Sequence, residues 1–434
     1  RVRGGGRYEF DWFYDLCDEL GLMVWQDFMF ACNLYPANDA FLAEIDGEVR
    51  EVVNRINWRA CVAVWCGDNE LIGALNWYEE STKNRDTYLA KYDRLNRTIE
   101  TALKQTAPLA NWWPSSPSPG PLSFGDAWHD DSSGDMHFWS VWHEGRDFDH
   151  YRDVAPRFCS EFGFQSYPSM NAIRQFADEK DFNIAAPVME SHQKNPGGNA
   201  RIAETMFRYF RFPNTFEDFV YVSQVQQALA IKTAVTHWRS MKPICMGTLF
   251  WQLNDTWPVC SWASLNYGGE WKILHHLTEH FYAPLLVTAV PMGEEIVVRA
   301  INDAPKRSKT TIDISALSMS GDMRPLGSFD VEVATDSALD VCTLKADQIK
   351  DQEMIVLSWN HPDGSISTDH FAPQPYKSYA LQNPDIELDV VEHEDHVELV
   401  LSSQNPAFFV TVEADISGRF SDNGFLLMPN EAVS

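Results

Sequence analysis

Two glutamates stand at the polar ends of two apolar segments and could act as a catalytic pair. Glu70 closes the segment Trp65-Cys66-Gly67-Asp68-Asn69-Glu70, and Glu161 lies in Arg157-Phe158-Cys159-Ser160-Glu161-Phe162-Gly163-Phe164. Both segments are typical of buried strands whose tips carry a carboxylate, and the strands of a barrel bring such tips together. Two carboxyl groups about 5 Å apart can cleave a glycosidic bond, one protonating the leaving oxygen while the other attacks the anomeric carbon. The residue types alone leave a second interpretation open, in which each glutamate forms a strand-end salt bridge.

The elements that must position this pair are predicted to be βα units. From residue 1 to about 284, short apolar runs alternate with helical patterns, as in a parallel sheet or barrel. A helix is predicted over Asp11–Leu20, ended by the C-cap signal of Gly21, and another over about 88–106. Buried strands are predicted at 22–27, 61–65, 109–113, 136–142, around Glu161 and at 244–251. A closed (β/α)₈ TIM barrel has eight strands, so residues 1–284 are expected to supply strands 3–8, with the first strands missing from this chain.

The pattern changes beyond Pro284 to short alternating strands separated by Gly, Pro, Asp and Asn. Such strands are typical of an immunoglobulin-like β-sandwich, which is predicted over 285–380. A break at 373–375 and 383–384 precedes a second sandwich pattern over 381–434, predicted to be incomplete. The predicted fold class is therefore α/β plus all-β, a TIM barrel followed by immunoglobulin-like domains.

Composition narrows the classes of partner. The chain has 34 Lys and Arg against 62 Asp and Glu, and a net charge of −28 repels phosphate backbones and anionic membrane surfaces. Neither nucleic acid nor a membrane is therefore predicted as a partner. Most of the sixteen tryptophans precede residue 275, which predicts flat apolar platforms on which sugar rings can stack, as well as core filling.

Competing chemistries have weak support in the residues. The eight cysteines form no CxxC pair and no zinc spacing, so they are interpreted as buried reduced thiols. His276 and His280 are spaced i, i+4 but lack the glutamate of an HExxH motif. GxSxG, GxGxxG and P-loop motifs are absent from the sequence. No metal and no cofactor are predicted.

Polar and aromatic residues near the strand tips complete a predicted ligand site. Asn69 directly precedes Glu70, and its amide could hold a sugar hydroxyl. The candidate catalytic residues are Glu70 and Glu161, and the candidate substrate-binding residues are Asn69, Asp27, Trp77, His137, Trp139, Trp142, Trp251 and Asn254.

Seven segments, in this order, resemble the β-mannosidases of glycoside hydrolase family 2. The segments are 4–6 (Gly-Gly-Gly), 22–36, Asn69-Glu70, 113–117 (Trp-Pro-Ser-Ser-Pro), 134–139 (Gly-Asp-Met-His-Phe-Trp), 160–166 and 250–255. The resemblance covers residues 1 to about 284. Beyond them, only the general pattern of short alternating strands and turn residues is similar.

The resemblance implies a retaining exo-β-mannosidase that removes terminal non-reducing β-D-mannose from β-mannosides and manno-oligosaccharides by double displacement, without a cofactor. It implies that Glu70 is the acid/base, that Glu161 is the nucleophile and that Asn69 contacts the 2-hydroxyl, with Trp251 and the region of Trp139 lining the −1 subsite. It also implies an N-terminal portion of the same protein that completes the barrel. The family has Trp where this chain has Arg3, which predicts an altered stacking wall.

Two alternatives stay open at this level. One is another family 2 activity, either an endo-β-mannosidase acting on N-glycan cores or an exo-β-glycosidase for another sugar. The other is a non-catalytic carbohydrate-binding scaffold, which would bind sugar without turnover.

Overall fold

The computed structural model of the chain describes residues 1–125, 128–361, 363–414 and 418–434. They fall into two compact units, the first formed by 1–138, 155–162 and 247–249, the second by 139–154, 163–246 and 250–434. In the described residues the α-helices are α1 (Asp11–Leu20), α2 (Asp39–Ile56), α3 (Leu71–Ala74), α4 (Glu79–Lys83), α5 (Arg85–Thr106), α6 (Ser140–His143), α7 (Met170–Ile173), α8 (Pro187–Ser191), α9 (Gly198–Tyr209), α10 (Phe216–Arg239) and α11 (Ile273–Phe281).

The strands follow the same division. The first unit contains β1 (Val24–Asp27), β2 (Val62–Cys66), β3 (Trp112–Trp113), β4 (Met136–Phe138) and β5 (Cys159–Phe162). The second contains β6 (Leu285–Met292), β7 (Glu295–Asn302), β8 (Ser308–Ser318), β9 (Met323–Val333), β10 (Ser337–Lys345), β11 (Glu353–Asn360), β12 (Ile366–Phe371), β13 (Glu387–Glu392), β14 (Val397–Ser402), β15 (Ala407–Val410), β16 (Phe425–Leu427) and β17 (Ala432–Val433).

The first unit is built on parallel strands in chain order. β1 pairs with β2 and β2 with β3, with Asp27 opposite Cys66 and Cys66 opposite Trp113. β4 pairs in parallel with β5, and a parallel bridge joins Cys159 to Thr248. Because all these strands run in the same direction, the residues that follow β1, β2 and β3 lie at one edge, where polar side chains collect.

Helix periodicity explains how the first unit buries its core. α1 ends as predicted, because Gly21 adopts the left-handed conformation (φ 70°) that a C-cap requires. The Asn38 side chain caps α2 by accepting a hydrogen bond from the Phe41 backbone N–H. On α2 the buried residues recur at helical spacing and pack on the strands, at Ile45, Val49, Val52, Val53 and Ile56.

Three predicted strands of the barrel portion differ in the structure. The strand predicted over 109–113 contains only Trp112 and Trp113. The strand predicted over 136–142 ends at Phe138, and Ser140–His143 is helical, since a short apolar run alone does not separate strand from helix. The segment 244–251 makes a single bridge at Thr248 instead of a strand. At the neighbouring Gly247 a Cβ atom would lie 2.1 Å from the Phe158 ring, so the chain approaches too closely for a side chain there.

The second unit contains two antiparallel sheets, with strand orders β10-β7-β6 and β12-β11-β8-β9. Burial alternates along β8, where Ile312 and Ile314 are buried and Asp313 is exposed, as expected for a strand with one face on a core. Apolar residues from both sheets share this core, among them Leu286, Val298 and Leu357. The remaining strands form the smaller sheets β13-β14-β17 and β15-β16.

Among the helices of the described residues, none combines the length and apolar character needed to cross a bilayer.

Candidate active site

The two glutamates singled out from the sequence meet in the first unit. Glu161 belongs to β5, directly opposite His137 of β4, and Glu70 follows β2. Both carboxyl side chains are buried. One oxygen of Glu70, one oxygen of Glu161 and one ring nitrogen of His137 all lie within 4.8 Å of one another. This spacing lies on the retaining side of the separations used by glycosidases, about 5 Å for retention against about 6.5–9.5 Å for inversion.

The backbone of Glu70 is held in a conformation that few side chains adopt. Its φ is 63°, in the left-handed region, which is costly for a residue with a Cβ. The Glu70 N–H donates to the Ser116 carbonyl at 2.8 Å, and the Glu70 carbonyl accepts from the Ala74 N–H at 2.8 Å. These two bonds tie the residue to the neighbouring strand end and to α3, and so aim its side chain at Glu161.

Glu161 lies next to two guanidinium groups and a histidine ring. Its Oε2 lies 3.3 Å from Arg3 Nε and 3.5 Å from Arg1 Nη1, with His137 Nδ1 at 3.8 Å. Two guanidinium groups next to a buried carboxylate compensate for the loss of hydration and favour its ionised form.

Glu70 has mainly uncharged partners. Its Oε1 lies 2.6 Å from His137 Nδ1, and its Oε2 accepts a hydrogen bond from the Cys32 thiol at 3.3 Å, while Arg3 Nη2 is 3.9 Å away. Burial raises the pKa of the Glu70 carboxyl above its ordinary value, although the Arg3 charge acts in the opposite direction. Burial also lowers the pKa of His137 to about 4 and raises that of Cys32 to about 12, so both stay uncharged near neutral pH.

Arg1 is anchored by two of the predicted site residues. Asp27 accepts from Arg1 Nη2 at 2.7 Å and from Arg1 Nε at 3.2 Å, and Asn69 Oδ1 accepts from Arg1 Nη2 at 2.8 Å. The Gly4 N–H also donates to Asp27 at 3.0 Å. A Cβ at Gly4 would lie 2.4 Å from the Phe30 carbonyl oxygen, so only glycine lets the chain come this close. Asp27 and Asn69 therefore hold Arg1 beside Glu161.

His137 connects the pair to a deeper polar group. Its Nε2 lies 2.9 Å from Ser116 Oγ, and Ser116 donates to Asp135 Oδ2 at 2.6 Å. Ser160 also donates to Asp135 Oδ2, and Trp113 Nε1 donates to Asp135 Oδ1 at 2.7 Å. Ser116, Asp135, His137 and Ser160 are all buried, so these bonds form a fixed network in a water-poor site.

Glu70, His137 and Glu161 also form the one group in the described residues whose ligand atoms are close enough to hold a metal ion. The Arg1 and Arg3 guanidinium groups already supply positive charge at the Glu161 carboxylate. Adding a cation would place like charges within a few ångströms. The donor set is therefore better suited to a carboxylate pair than to a metal.

The other predicted binding residues occupy varied surroundings. Trp77 belongs to the first unit, is 52% exposed and packs at 5.9 Å from the Trp128 ring. In the second unit, Trp139 packs on Trp262 with 5.9 Å between ring centroids. Trp142 is buried and donates from Nε1 to Asn195 Oδ1 at 2.8 Å.

The last two predicted residues also lie in the second unit. A Cβ atom at Gly163 would lie 2.3 Å from the Trp251 carbonyl oxygen, so these two segments of the backbone are in close contact. The Asn254 side chain is exposed, and its carbonyl accepts from Gln252 Nε2 at 2.8 Å.

Several residues of this site were not predicted from the sequence. Arg1 and Cys32 contact the pair directly, Ser116 is connected to it through His137, and Asp135 and Ser160 join the same network through Ser116. A signal was available for four of them, since Cys32, Ser116, Asp135 and Ser160 stand in segments that carry the family resemblance. Nothing in the residue types assigned them a role.

Comparison with known proteins finds relatives along nearly the whole chain. The β-mannosidase of Capra hircus is 31% identical over 473 aligned residues, which cover 98% of this chain and 52% of the relative. That of Mus musculus is 32% identical over 466 residues, covering 99% and 52%. The chain thus spans about half the length of the curated relatives it matches.

Comparison with solved structures also finds similarity to a β-mannosidase. The crystal structure of the β-D-mannosidase from Dictyoglomus thermophilum matches with a TM-score of 0.89 and 29% identity, covering 100% of this chain and 53% of that one. An Ig-fold domain family named for mannosidases matches residues 381–434.

The fold is that of a TIM barrel followed by immunoglobulin-like β-sandwich domains, and in sequence the chain is similar to glycoside hydrolases. Within that class, the resemblance to the β-mannosidases of glycoside hydrolase family 2 is confirmed.

Proposed function

We propose that this chain carries the catalytic site of a retaining exo-β-mannosidase. The observation that supports retention is the distance between the two buried carboxyl groups, whose nearest oxygens lie within 4.8 Å. This separation is close to that of retaining enzymes and leaves little room for a water molecule between the second carboxylate and the sugar, which supports direct attack by that carboxylate.

The first step is glycosylation of Glu161. Its ionised carboxylate, held by the two guanidinium groups, attacks the anomeric carbon and forms the covalent bond to the sugar. Glu70 is protonated because burial raises its pKa, and it gives that proton to the departing oxygen. The bond from the anomeric carbon to the leaving group breaks as the new ester bond forms.

The second step is hydrolysis of the glycosyl-enzyme. Glu70, now ionised, takes a proton from water, and the resulting hydroxide attacks the anomeric carbon on the face from which the leaving group departed. Glu161 leaves as a carboxylate, and Glu70 is again protonated. Two inversions restore the original β configuration.

Substrate choice is proposed from the relatives, whose printed names specify β-mannosides. The Asn69 amide donates one N–H to Cys32 Sγ at 3.5 Å and offers a second to a sugar hydroxyl. Exo cleavage is proposed from the motif resemblance alone. That an N-terminal portion completes the barrel stays a prediction.

The test uses the full-length protein and matched aryl β-glycosides of mannose, glucose, galactose and glucosamine. Hydrolysis should be fastest for the mannoside, and proton NMR should show the β-anomer of mannose as the first product. Mannotriose should release one mannose at a time from the non-reducing end. A first-formed α-anomer would rule out retention, and preference for another sugar would replace the proposed substrate.

A further inference from the structure

A chain of short hydrogen bonds runs from Glu70 to the buried carboxylate of Asp135. The path is Glu70 Oε1 to His137 Nδ1 (2.6 Å), His137 Nε2 to Ser116 Oγ (2.9 Å) and Ser116 Oγ to Asp135 Oδ2 (2.6 Å). All four side chains are at least nine-tenths buried. The roles proposed for Glu70 and Glu161 leave the far end of this chain unexplained.

The direction of the protons can be worked out from Asp135. This carboxylate accepts from the Ser116 and Ser160 hydroxyls, from Trp113 Nε1 at 2.7 Å and from the Ser118 N–H at 2.9 Å. Four donors converge on two oxygens, an arrangement that only an ionised carboxylate satisfies.

Ser116 therefore uses its single proton toward Asp135. Its oxygen is left as an acceptor for His137, which favours the tautomer with a proton on Nε2. Nδ1 of the same ring then carries no proton, and it can only accept a hydrogen bond from a protonated Glu70 Oε1. In this arrangement Glu70 is the protonated acid.

Arg1 opposes this arrangement. Arg1 Nη1 lies 3.2 Å from His137 Nε2 and carries only donors, so it favours a bare Nε2 and a proton on Nδ1. A proton on Nδ1 would stabilise the ionised form of Glu70 instead. His137 thus stands between two neighbours that favour opposite tautomers.

We propose that Asp135 is a positioning residue that acts through Ser116 and His137 to keep the proton on Glu70 between turnovers. The proposal rests on the acid/base role of Glu70 in the proposed function. It requires no transfer along the path during a turnover, because Asp135 only biases which nitrogen of His137 carries the proton.

Other charged or titratable groups also face Glu70 and must be held constant. Arg3 and Cys32 contact Oε2, and Glu161 lies across the pair. Arg1 acts on Glu70 through its charge. The pH-profile comparison therefore changes only uncharged hydroxyls.

Ser116→Ala and Ser160→Ala form a matched pair, because both hydroxyls donate to Asp135 Oδ2 and only Ser116 contacts His137. In Ser116→Ala, Arg1 is the remaining neighbour of Nε2, the proton moves to Nδ1 and the ionised form of Glu70 is stabilised. The basic limb of the kcat/KM profile on an aryl β-mannoside should then move to lower pH by roughly half to one unit, about the effect of one hydrogen bond. Ser160→Ala should leave that limb in place.

A second measurement does not depend on turnover. In full-length protein labelled with ¹⁵N-histidine, the His137 signal, assigned by its loss in His137→Gln, should report a proton on Nε2 in the wild type and on Nδ1 in Ser116→Ala. Asp135→Asn should act in the same direction, because its amide can donate to Ser116, which then donates to His137. Equal shifts in the two serine variants, or an unchanged tautomer, would overturn the proposal. An enzyme inactive on β-mannosides would contradict the proposed function instead, and the NMR comparison would still decide the tautomer.

Discussion

The surroundings of Glu161 and Glu70 differ although both residues are buried glutamates a few ångströms apart. Glu161 has two guanidinium groups within 3.5 Å, whereas Glu70 is contacted by a neutral imidazole and a thiol, with Arg3 at 3.9 Å. Charged donors favour the ionised form, and burial among uncharged groups favours the protonated form. The comparison teaches that neighbours, not residue type, separate a nucleophile from an acid.

The largest effect is expected when Glu161, the proposed nucleophile, is replaced. Glu161→Ala should lower kcat by roughly 10⁴- to 10⁶-fold, as when a nucleophile or its partner is removed from an enzyme. In the wild type, a 2-deoxy-2-fluoro-β-mannoside with a good leaving group should form a stable covalent adduct, because the fluorine slows its hydrolysis. Peptide mapping by mass spectrometry should find this label on Glu161, and a label on any other residue would break the assignment.

The variant Glu70→Ala tests the acid/base role proposed for Glu70. The loss should be about 10²- to 10⁴-fold on substrates with poor leaving groups and much smaller on activated aryl mannosides, which need little protonation. Added azide should restore part of the turnover and yield β-mannosyl azide, measured by NMR, because azide is a nucleophile that needs no general base. Equal losses on both kinds of substrate without azide product would contradict the acid/base role.

Arg3 is the cation that touches both carboxylates, so changing it sharpens the comparison. Its charge lowers the pKa of Glu70, and Arg3→Met should therefore raise that pKa and move the basic limb of the kcat/KM profile up by about one pH unit. Arg3→Lys keeps the charge and serves as the matched control, with a limb close to the wild type. A limb that moves down in Arg3→Met would mean that Arg3 does not act on Glu70 by its charge.

The smallest effect is expected at Cys32. Its thiol is a weak donor to Glu70 Oε2 and slightly favours the ionised form, so Cys32→Ala should move the basic limb upward by a few tenths of a pH unit at most. Cys32→Ser supplies a stronger donor and should move the limb the other way. The same pH profiles measure both variants, and identical directions would show that packing, not the hydrogen bond, is responsible.

Much of the local structure followed from sequence pattern. The helix over Asp11–Leu20 and its end at Gly21 were predicted, because capping depends on adjacent residues. The strand predicted over 136–142 ended early, and β10 (Ser337–Lys345) was not predicted. Only one of its nine residues, Leu344, is buried, so the strand lacks the regular alternation of buried and exposed positions by which strands are predicted.

The residues of the candidate active site were likewise predicted only in part. Glu70, Glu161, Asp27, Asn69 and His137 were singled out from strand ends and motifs, and the structure brings them together in one unit. Their individual roles stay predictions. Arg1 lies outside every segment of the resemblance and had no such signal, because a charged residue next to a glycine-rich turn is usually a solvated one.

The amino-acid sequence by itself determined where most of the parallel strands lie and that glutamates stand at or near the ends of two of them, because side-chain periodicity and turn residues act over a few positions. Only the tertiary structure decided which hydrogen-bond donors and acceptors lie next to the carboxyl oxygens of Glu70 and Glu161. The partners of Glu70 stand 67 and 38 positions away, at His137 and Cys32. A hydrogen bond depends on a few tenths of an ångström, a precision that only packed strands supply.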